Sequence, residues 1–198
     1  MTVATGPVLL HTVLRQPDEI QAGMARNDGM IGTVHARFAR GSLSSYEAIW
    51  TDTSSVARRT TLTRSGDSLR IHEPGRADTA TAIPARWWGV ADYAMNELLV
   101  PPLLDHDADG VASPFAVYRP YPGHWDVGTA SLRRVGKHLV ATYRLGSDTA
   151  STFLLITGDG DLLLGENSGP DGARRMPPEG SARRAQLDAI LQALQSNK

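Results

Sequence analysis

The feature that most constrains this chain is a recurring alternation of apolar and polar residues in short runs, separated by glycine-containing turns. Val34, Ala36 and Phe38 alternate with polar residues in one such run, and successive side chains of a β-strand point to opposite faces of a sheet. Segments 27–29 (Asn-Asp-Gly) and 65–67 (Ser-Gly-Asp) separate pairs of runs. Because these residue types adopt the backbone angles of tight hairpins, the pattern predicts an antiparallel meander.

A second group of strands is predicted after residue 112. The runs are FAVYRP, HWDVGTASLRRVG, KHLVATYRLG, STFLLITG and DLLLGEN, and glycines punctuate most of the boundaries. The last two runs are apolar on both faces, which indicates central positions in a sheet. Because an antiparallel sheet of roughly ten twisted strands does not stay flat, we expect it to curl or close.

The segment between the two groups of strands predicts a helix near residues 85–100. Apolar residues recur there at the spacing of one helix face. Pro84 is suited to the start of this helix, and the Pro101-Pro102 pair predicts its end because proline has no backbone N–H. The apolar face comprises Trp87, Trp88, Ala91, Ala94, Met95, Leu98 and Leu99.

The fold class that follows is mainly β with few helices, in a single domain spanning residues 1–198. We expect a curled antiparallel sheet or incomplete barrel whose concave face is covered by the helix near residues 85–100. A C-terminal helix packs outside and begins at about Ser181, a residue type that caps helix N-termini. Its apolar face carries Leu187, Ile190, Leu191 and Leu194.

Composition excludes several classes of function. The formal net charge is −1, so no overall field attracts nucleic acid, and we expect no nucleic-acid partner. The absence of cysteine excludes disulfides and thiolate catalysis.

No apolar run is long enough to span a bilayer, and the N-terminal segment lacks the basic region of a signal peptide. The expected location is periplasmic or secreted if a leader has been removed, and otherwise cytoplasmic. The sequence leaves the oligomeric state open.

The run DHDADG is the one candidate for a metal site. Asp105, Asp107 and Asp109 alternate and Gly110 follows, as in the first half of a calcium-binding loop. The twelfth position of such a loop carries a bidentate glutamate, but here it is Ala116. The sequence therefore favours an acidic surface turn, with a Ca²⁺ site as the alternative. We expect no other cofactor.

Motifs for catalysis are absent from the sequence. The histidines form none of the closely spaced pairs that bind zinc, and no serine lies in a nucleophile elbow. An enzyme remains an alternative hypothesis, in which Asp126, His124 or Glu97 acts as the general acid or base.

Aromatic residues are the stronger candidates for a binding site. Trp87, Trp88, Tyr93 and Met95 lie on the predicted helix, and Trp125 lies in an aromatic, proline-containing passage. These residues pack a core in the simplest interpretation. The alternative is that the helix covers a curled sheet and leaves an apolar cavity that these five side chains line, because barrel mouths are usual ligand sites.

The order of elements supports a family resemblance over about residues 19–167. A meander is followed by ADYAMNELLVPPLL, the acidic loop, FAVYRP, GKHLVATYRL and FLLITGDGDLLLGEN. This order resembles the incomplete β-barrel proteins of the bacterial envelope, including the lipoprotein carriers of the Lol system and related uncharacterised periplasmic proteins. The resemblance implies a curved sheet that wraps a helix and holds acyl chains or another apolar ligand.

From these residues and this resemblance we expect non-enzymatic binding or carriage of a hydrophobic, lipid-like ligand. Two alternatives stay open, a small-molecule enzyme that uses a carboxylate or histidine in the same cavity, and a structural or interaction module.

Overall fold

A computed structural model provides the structure of the chain. It describes residues 2–3, 8–16, 18–26, 29–51, 57–85, 87–92, 96–105, 110, 112–120, 123–146, 151–168 and 174–196. Among these residues, no helix is both long and apolar enough to cross a membrane.

Strands dominate the described residues. The first group comprises β1 (Thr2–Val3), β2 (Val8–Gln16), β3 (Glu19–Arg26), β4 (Ile31–Ala39), β5 (Ser42–Thr51), β6 (Ala57–Ser65), β7 (Ser68–His72) and β8 (Thr79–Ala82). The second comprises β9 (Trp88–Val90), β10 (Ser113–Arg119), β11 (His124–Val135), β12 (His138–Leu145), β13 (Thr152–Ile156), β14 (Leu162–Asn167) and β15 (Arg174–Met176). The helices are a 3-10 helix (Asn96–Leu99), α1 (Val100–Leu104) and α2 (Ala182–Ser196).

The described strands form two sheets. One sheet has eight strands in the order β1-β15-β14-β13-β12-β11-β10-β9, and the other has seven in the order β2-β3-β4-β5-β6-β7-β8. Neighbouring strands are antiparallel except for the parallel pair β9 and β10. The architecture is mainly β, with a curled half-barrel and few helices, so the fold class predicted from the sequence is confirmed.

The hairpins predicted from local sequence are present. Gly29 and Gly66 have φ angles of 85° and 60°, which glycine adopts without steric cost. The alternation along β4 places Val34, Ala36 and Phe38 on the buried face. We call this buried surface of the seven-stranded sheet its inner face, and the opposite surface its outer face. β13 and β14 lie inside the eight-stranded sheet, as their apolar composition predicts.

The buried apolar side chains of the described residues fall into three clusters. The first lies between the inner face of the seven-stranded sheet and the β9–β10 pair, where it includes Trp88. The second joins one face of the eight-stranded sheet to the 3-10 helix and α1 through Leu99 and Leu103. In the third, Leu187 and Ile190 of α2 cover the other face of that sheet. The 3-10 helix and α1 therefore cover one face of the eight-stranded sheet, and α2 packs on the other face.

The prediction of a helix near residues 85–100 is wrong for the first part of this range. Trp88–Val90 is strand β9, which pairs with β10, and the helical turns begin only at Asn96. Residues 93–95 lie outside the described part of the chain. The alternation of side chains along a strand sends Trp87 and Trp88 to opposite sides, and each ring is buried in a different cluster. Tertiary packing thus overrides the helical spacing.

The proline pair also has a different role from the one predicted. Pro101 and Pro102 lie in the first turn of α1 and do not end the helical segment, which continues to Leu104. The backbone N–H groups of a first turn have no partner inside the helix, so proline loses little there.

The C-terminal helix follows its prediction. The Ser181 hydroxyl accepts a hydrogen bond from the Arg184 backbone N–H at 3.1 Å, which satisfies one of the N–H groups that a helix start leaves without a partner. Leu187 and Ile190 are buried against the eight-stranded sheet.

Candidate functional site

A row of three side chains crosses the inner face of the seven-stranded sheet near its β8 edge. Arg64 on β6 lies opposite Leu69 on β7, and Leu69 lies opposite Thr81 on β8. Directly opposed residues of an antiparallel pair point to the same face. The strands are about 4.8 Å apart, so the row extends roughly 10 Å from Arg64 to Thr81.

Two aromatic rings from the other sheet, Trp125 and Trp88, contact this row, and a third, Tyr118, packs against Trp125. The Trp125 Nε1 on β11 donates a hydrogen bond to Thr81 Oγ1 at 3.2 Å. The Trp125 ring is edge-on to Trp88 at 5.6 Å and to Tyr118 at 5.1 Å between centroids, a geometry that aromatic pairs prefer. Trp88 and Tyr118 are buried, whereas Trp125 is half-buried. Trp125 therefore connects the core with the surface.

Arg64 completes this arrangement. Its guanidinium carbon lies 5.9 Å from the centroid of the Trp88 ring, within the range of a cation–π contact. Its Nε donates to the Gly66 backbone oxygen at 3.0 Å, which holds the guanidinium in place. We call Arg64, Leu69, Thr81, Trp88 and Trp125 the arginine–aromatic site.

An ion cluster occupies the other end of the same inner face. The Glu73 carboxylate is 2.7 Å from an Arg58 guanidinium nitrogen and 2.6 Å from an Arg76 guanidinium nitrogen. Thr60 Oγ1 donates to Glu73 at 3.2 Å. The hydrogen bond from Arg58, aided by the charges of both arginines, holds the pKa of Glu73 below its ordinary value despite partial burial.

A buried carboxylate lies between the two sheets. Asp92, which follows β9, is 3% exposed. Its Oδ2 accepts hydrogen bonds from the Tyr46 hydroxyl at 2.5 Å and from Trp50 Nε1 at 3.0 Å. Tyr46 and Trp50 are four residues apart on β5 and face the same side, so the sequence predicts their burial but not their shared partner.

Tyr118 links the aromatic rings to the ion cluster. Burial raises the pKa of the Tyr118 hydroxyl, and the negative charge of Glu73 raises it further. The Tyr118 hydroxyl is therefore protonated throughout the neutral range.

The predicted lining residues are not all brought together. Trp88 and Trp125 are in contact, but Trp87 packs on Phe115 at 4.8 Å in the second cluster. Tyr93 and Met95 lie outside the described residues. A ligand-binding role for these five residues stays a prediction.

The predicted acid–base candidates occupy two separate environments. Asp126 pairs with Arg119 and also with His124, whose Nε2 is 3.1 Å from Asp126 Oδ1, and His124 is exposed. Glu97 is instead 6% exposed and lies in the 3-10 helix. Asp126 thus belongs to a group at the surface with Arg119 and His124, and Glu97 belongs to the interior.

The acidic loop is described only at its ends. Asp105 is exposed, and its side chain packs against the backbone of Gly41. Gly110 has a φ angle of 76°, which suits the turn predicted there. Asp107 and Asp109 lie outside the described residues. Within the described part of the chain, no group of three or more histidine, aspartate or glutamate residues could hold a metal ion; a calcium site in this loop stays a prediction.

Comparisons with protein-family models, with curated proteins and with solved structures each found no match for this chain.

Proposed function

We propose that this protein binds a hydrophobic, lipid-like ligand at the arginine–aromatic site and does not transform it. The observation that carries the proposal is the position of Trp125. Its half-buried ring contacts two buried rings and reaches the surface where the two sheets meet. Partly exposed aromatic rings that continue into an apolar core are typical of ligand-binding crevices.

Neighbouring apolar side chains extend this surface. Ile71 on β7 and Ile83 after β8 are partly buried and pack on the same cluster as Trp125. An acyl chain lying on these three side chains would remove their exposed parts from water. Each square ångström of apolar surface so covered contributes about 25 cal/mol before ordering costs.

We propose binding without catalysis because the acid–base candidates lie in two separate environments. The exposed His124 and the half-buried Asp126 form a contact at the surface, and Glu97 is buried in the 3-10 helix. General acid–base catalysis needs such groups within hydrogen-bond reach of one substrate atom. Carriage within a bacterial envelope is part of the proposal and is supported by the resemblance to the lipoprotein carriers.

Native mass spectrometry of gently purified protein, before and after addition of hexadecanoic acid or a neutral monoacylglycerol, tests the proposal. We expect a one-to-one adduct and quenching of tryptophan fluorescence. Trp125→Leu should weaken binding of both probes. Trp87→Phe is the matched control, because Trp87 packs in the second cluster, and it should bind as the wild type does. If neither probe forms an adduct, the proposed function is wrong.

A further inference from the structure

We infer that the polar end of the ligand is a carboxylate, bound by Arg64, so that the ligand is a free long-chain carboxylic acid in its ionised form. This inference rests on the proposed function and adds the chemistry of the head group. It follows from the position, the contacts and the charge of Arg64.

The Arg64 side chain lies on the inner face of the seven-stranded sheet, whereas a surface arginine would lie on the outer face. β6 alternates, and Thr60 and Leu62, which precede Arg64 on the same face, are 5% and 0% exposed. Arg64 itself is half-buried at the end of this line. Its guanidinium is therefore at the border between the core and the solvent, where the head group of a partly buried amphiphile would lie.

The contacts of Arg64 leave its terminal nitrogens available. The guanidinium carbon lies 5.9 Å from the centroid of the Trp88 ring, and Nε donates to the Gly66 backbone oxygen. Within the described part of the chain, no carboxylate lies within ion-pair distance of Arg64, and no further hydrogen bond uses its two terminal NH₂ groups. A guanidinium offers paired N–H donors that match the two oxygens of a carboxylate.

Arg58 lies on the same strand as Arg64 but, unlike Arg64, has a carboxylate partner. Both arginines lie on the inner face of β6, six residues apart and therefore roughly 20 Å from each other. Arg58 is neutralised by Glu73. Arg64 has no such partner among the described residues, so its charge favours an anion at the aromatic end of the face.

The surroundings favour an amphiphile over a small anion. Trp88 and Leu69 are buried beside Arg64, and the half-buried Trp125 ring packs edge-on against Trp88. The exposed part of Trp125 therefore offers an acyl chain an apolar surface on the same side of the sheet as the cation. A small anion would gain only the contact with a half-exposed guanidinium, and such contacts are weak in water.

Isothermal titration calorimetry with three decyl probes tests the inference. The probes are decanoate, decanol and decyltrimethylammonium, which share one chain and differ in head-group charge. Sodium acetate serves as a small anion, and phosphatidylglycerol vesicles serve as an anionic membrane surface. The variant is Arg64→Gln. The matched control is Arg70→Gln, because Arg70 lies on the same hairpin but is exposed on the outer face.

We expect decanoate to bind about tenfold more tightly than decanol, as one charge-assisted contact would give. Arg64→Gln should remove this preference by weakening the binding of decanoate, and Arg70→Gln should keep it. Equal binding of the three probes, or a preference that survives Arg64→Gln, would overturn the carboxylate inference and leave hydrophobic binding intact. Competition by acetate at the same concentration, or binding to vesicles in place of decanoate, would also overturn it. If no decyl probe binds, the proposed function fails as well.

Discussion

The indole of Trp50 donates a hydrogen bond from Nε1 to Asp92 Oδ2 at 3.0 Å, across the space between the two sheets. Trp50 lies on β5 of the seven-stranded sheet, and Asp92 follows β9 at the edge of the eight-stranded sheet. Both residues are buried. Burying a carboxylate is costly unless donors compensate it, so this bond and the one from Tyr46 hold the β9 segment on the inner face.

Tyr46→Phe should lower the free energy of unfolding by about 1–3 kcal/mol, because Asp92 loses a donor that no water can easily replace. Chemical denaturation measures this change. Tyr118→Phe is the control, since Tyr118 is also buried but has no hydrogen bond from its hydroxyl among the described residues. Combining Tyr46→Phe with Asp92→Asn should give less than the sum of the single effects. Equal losses in Tyr46→Phe and Tyr118→Phe would contradict the role given to Asp92.

Gly32→Ala should displace the Trp50 ring. Gly32 on β4 lies opposite Trp50 on β5, and an added Cβ would overlap the six-membered ring of the indole. Because a side chain can move, we expect a folded protein that is less stable by about 1–3 kcal/mol, with altered tryptophan emission. Thr33→Ala, on the exposed face of the same strand, should leave the emission unchanged. A variant with wild-type stability and emission would show that the ring is not held at Gly32.

Gly128→Ala should be more damaging than Gly32→Ala. An added Cβ at Gly128 on β11 would overlap the backbone carbonyl of Arg144 on β12, and a carbonyl within a paired strand cannot move without breaking the pairing. We expect a loss of several kcal/mol or failure to fold. Thermal unfolding followed by circular dichroism compares it with Ser131→Ala, a substitution on the same strand. A melting temperature near that of the control would contradict the close approach of the two strands.

Glu73→Gln should reduce the acid sensitivity of the fold. The pKa of Glu73 is lowered from its ordinary value of 4.5, mainly by the hydrogen bond from Arg58. A lowered folded-state pKa contributes stability above the unfolded-state value, and that contribution is lost as the pH falls through the folded-state pKa. The stability difference between wild type and Glu73→Gln should therefore be largest near neutral pH and should shrink below about pH 4.

Urea denaturation over the acid range measures that difference. Glu179→Gln is the matched control, because Glu179 is exposed in the turn before α2, and it should follow the wild-type profile. A stability difference between wild type and Glu73→Gln that stays constant with pH would contradict the ion cluster.

Much of the fold could be predicted because its signals are local. Gly29 and Gly66 supply the backbone angles of two hairpins, and the alternation around Val34 sets which face is buried. Side chains of a strand alternate by necessity, so a run of sequence determines its own two faces. The Ser181 cap and the leucines of α2 are local in the same sense.

The prediction for residues 85–100 is partly wrong because a short apolar segment fits either period. The spacing of Trp87, Ala91 and Leu98 matches a helix, but β9 gains backbone hydrogen bonds from β10, about 30 residues later. In the strand conformation, the segment also buries Trp87 and Trp88 in two different clusters. Neither the pairing with β10 nor the two clusters can be predicted from the segment alone.

The sequence by itself determined the β class, the local hairpins, the inward-facing residues of β4, and the C-terminal helix, since each depends on neighbours within a few positions. Only the tertiary structure decided that Asp92 meets Trp50, that Trp125 reaches Thr81, and that Arg64 lies beside Trp88. Those contacts join residues 24–44 positions apart. They depend on how two sheets stack and in what register, which packing of the whole core fixes and which no single segment encodes.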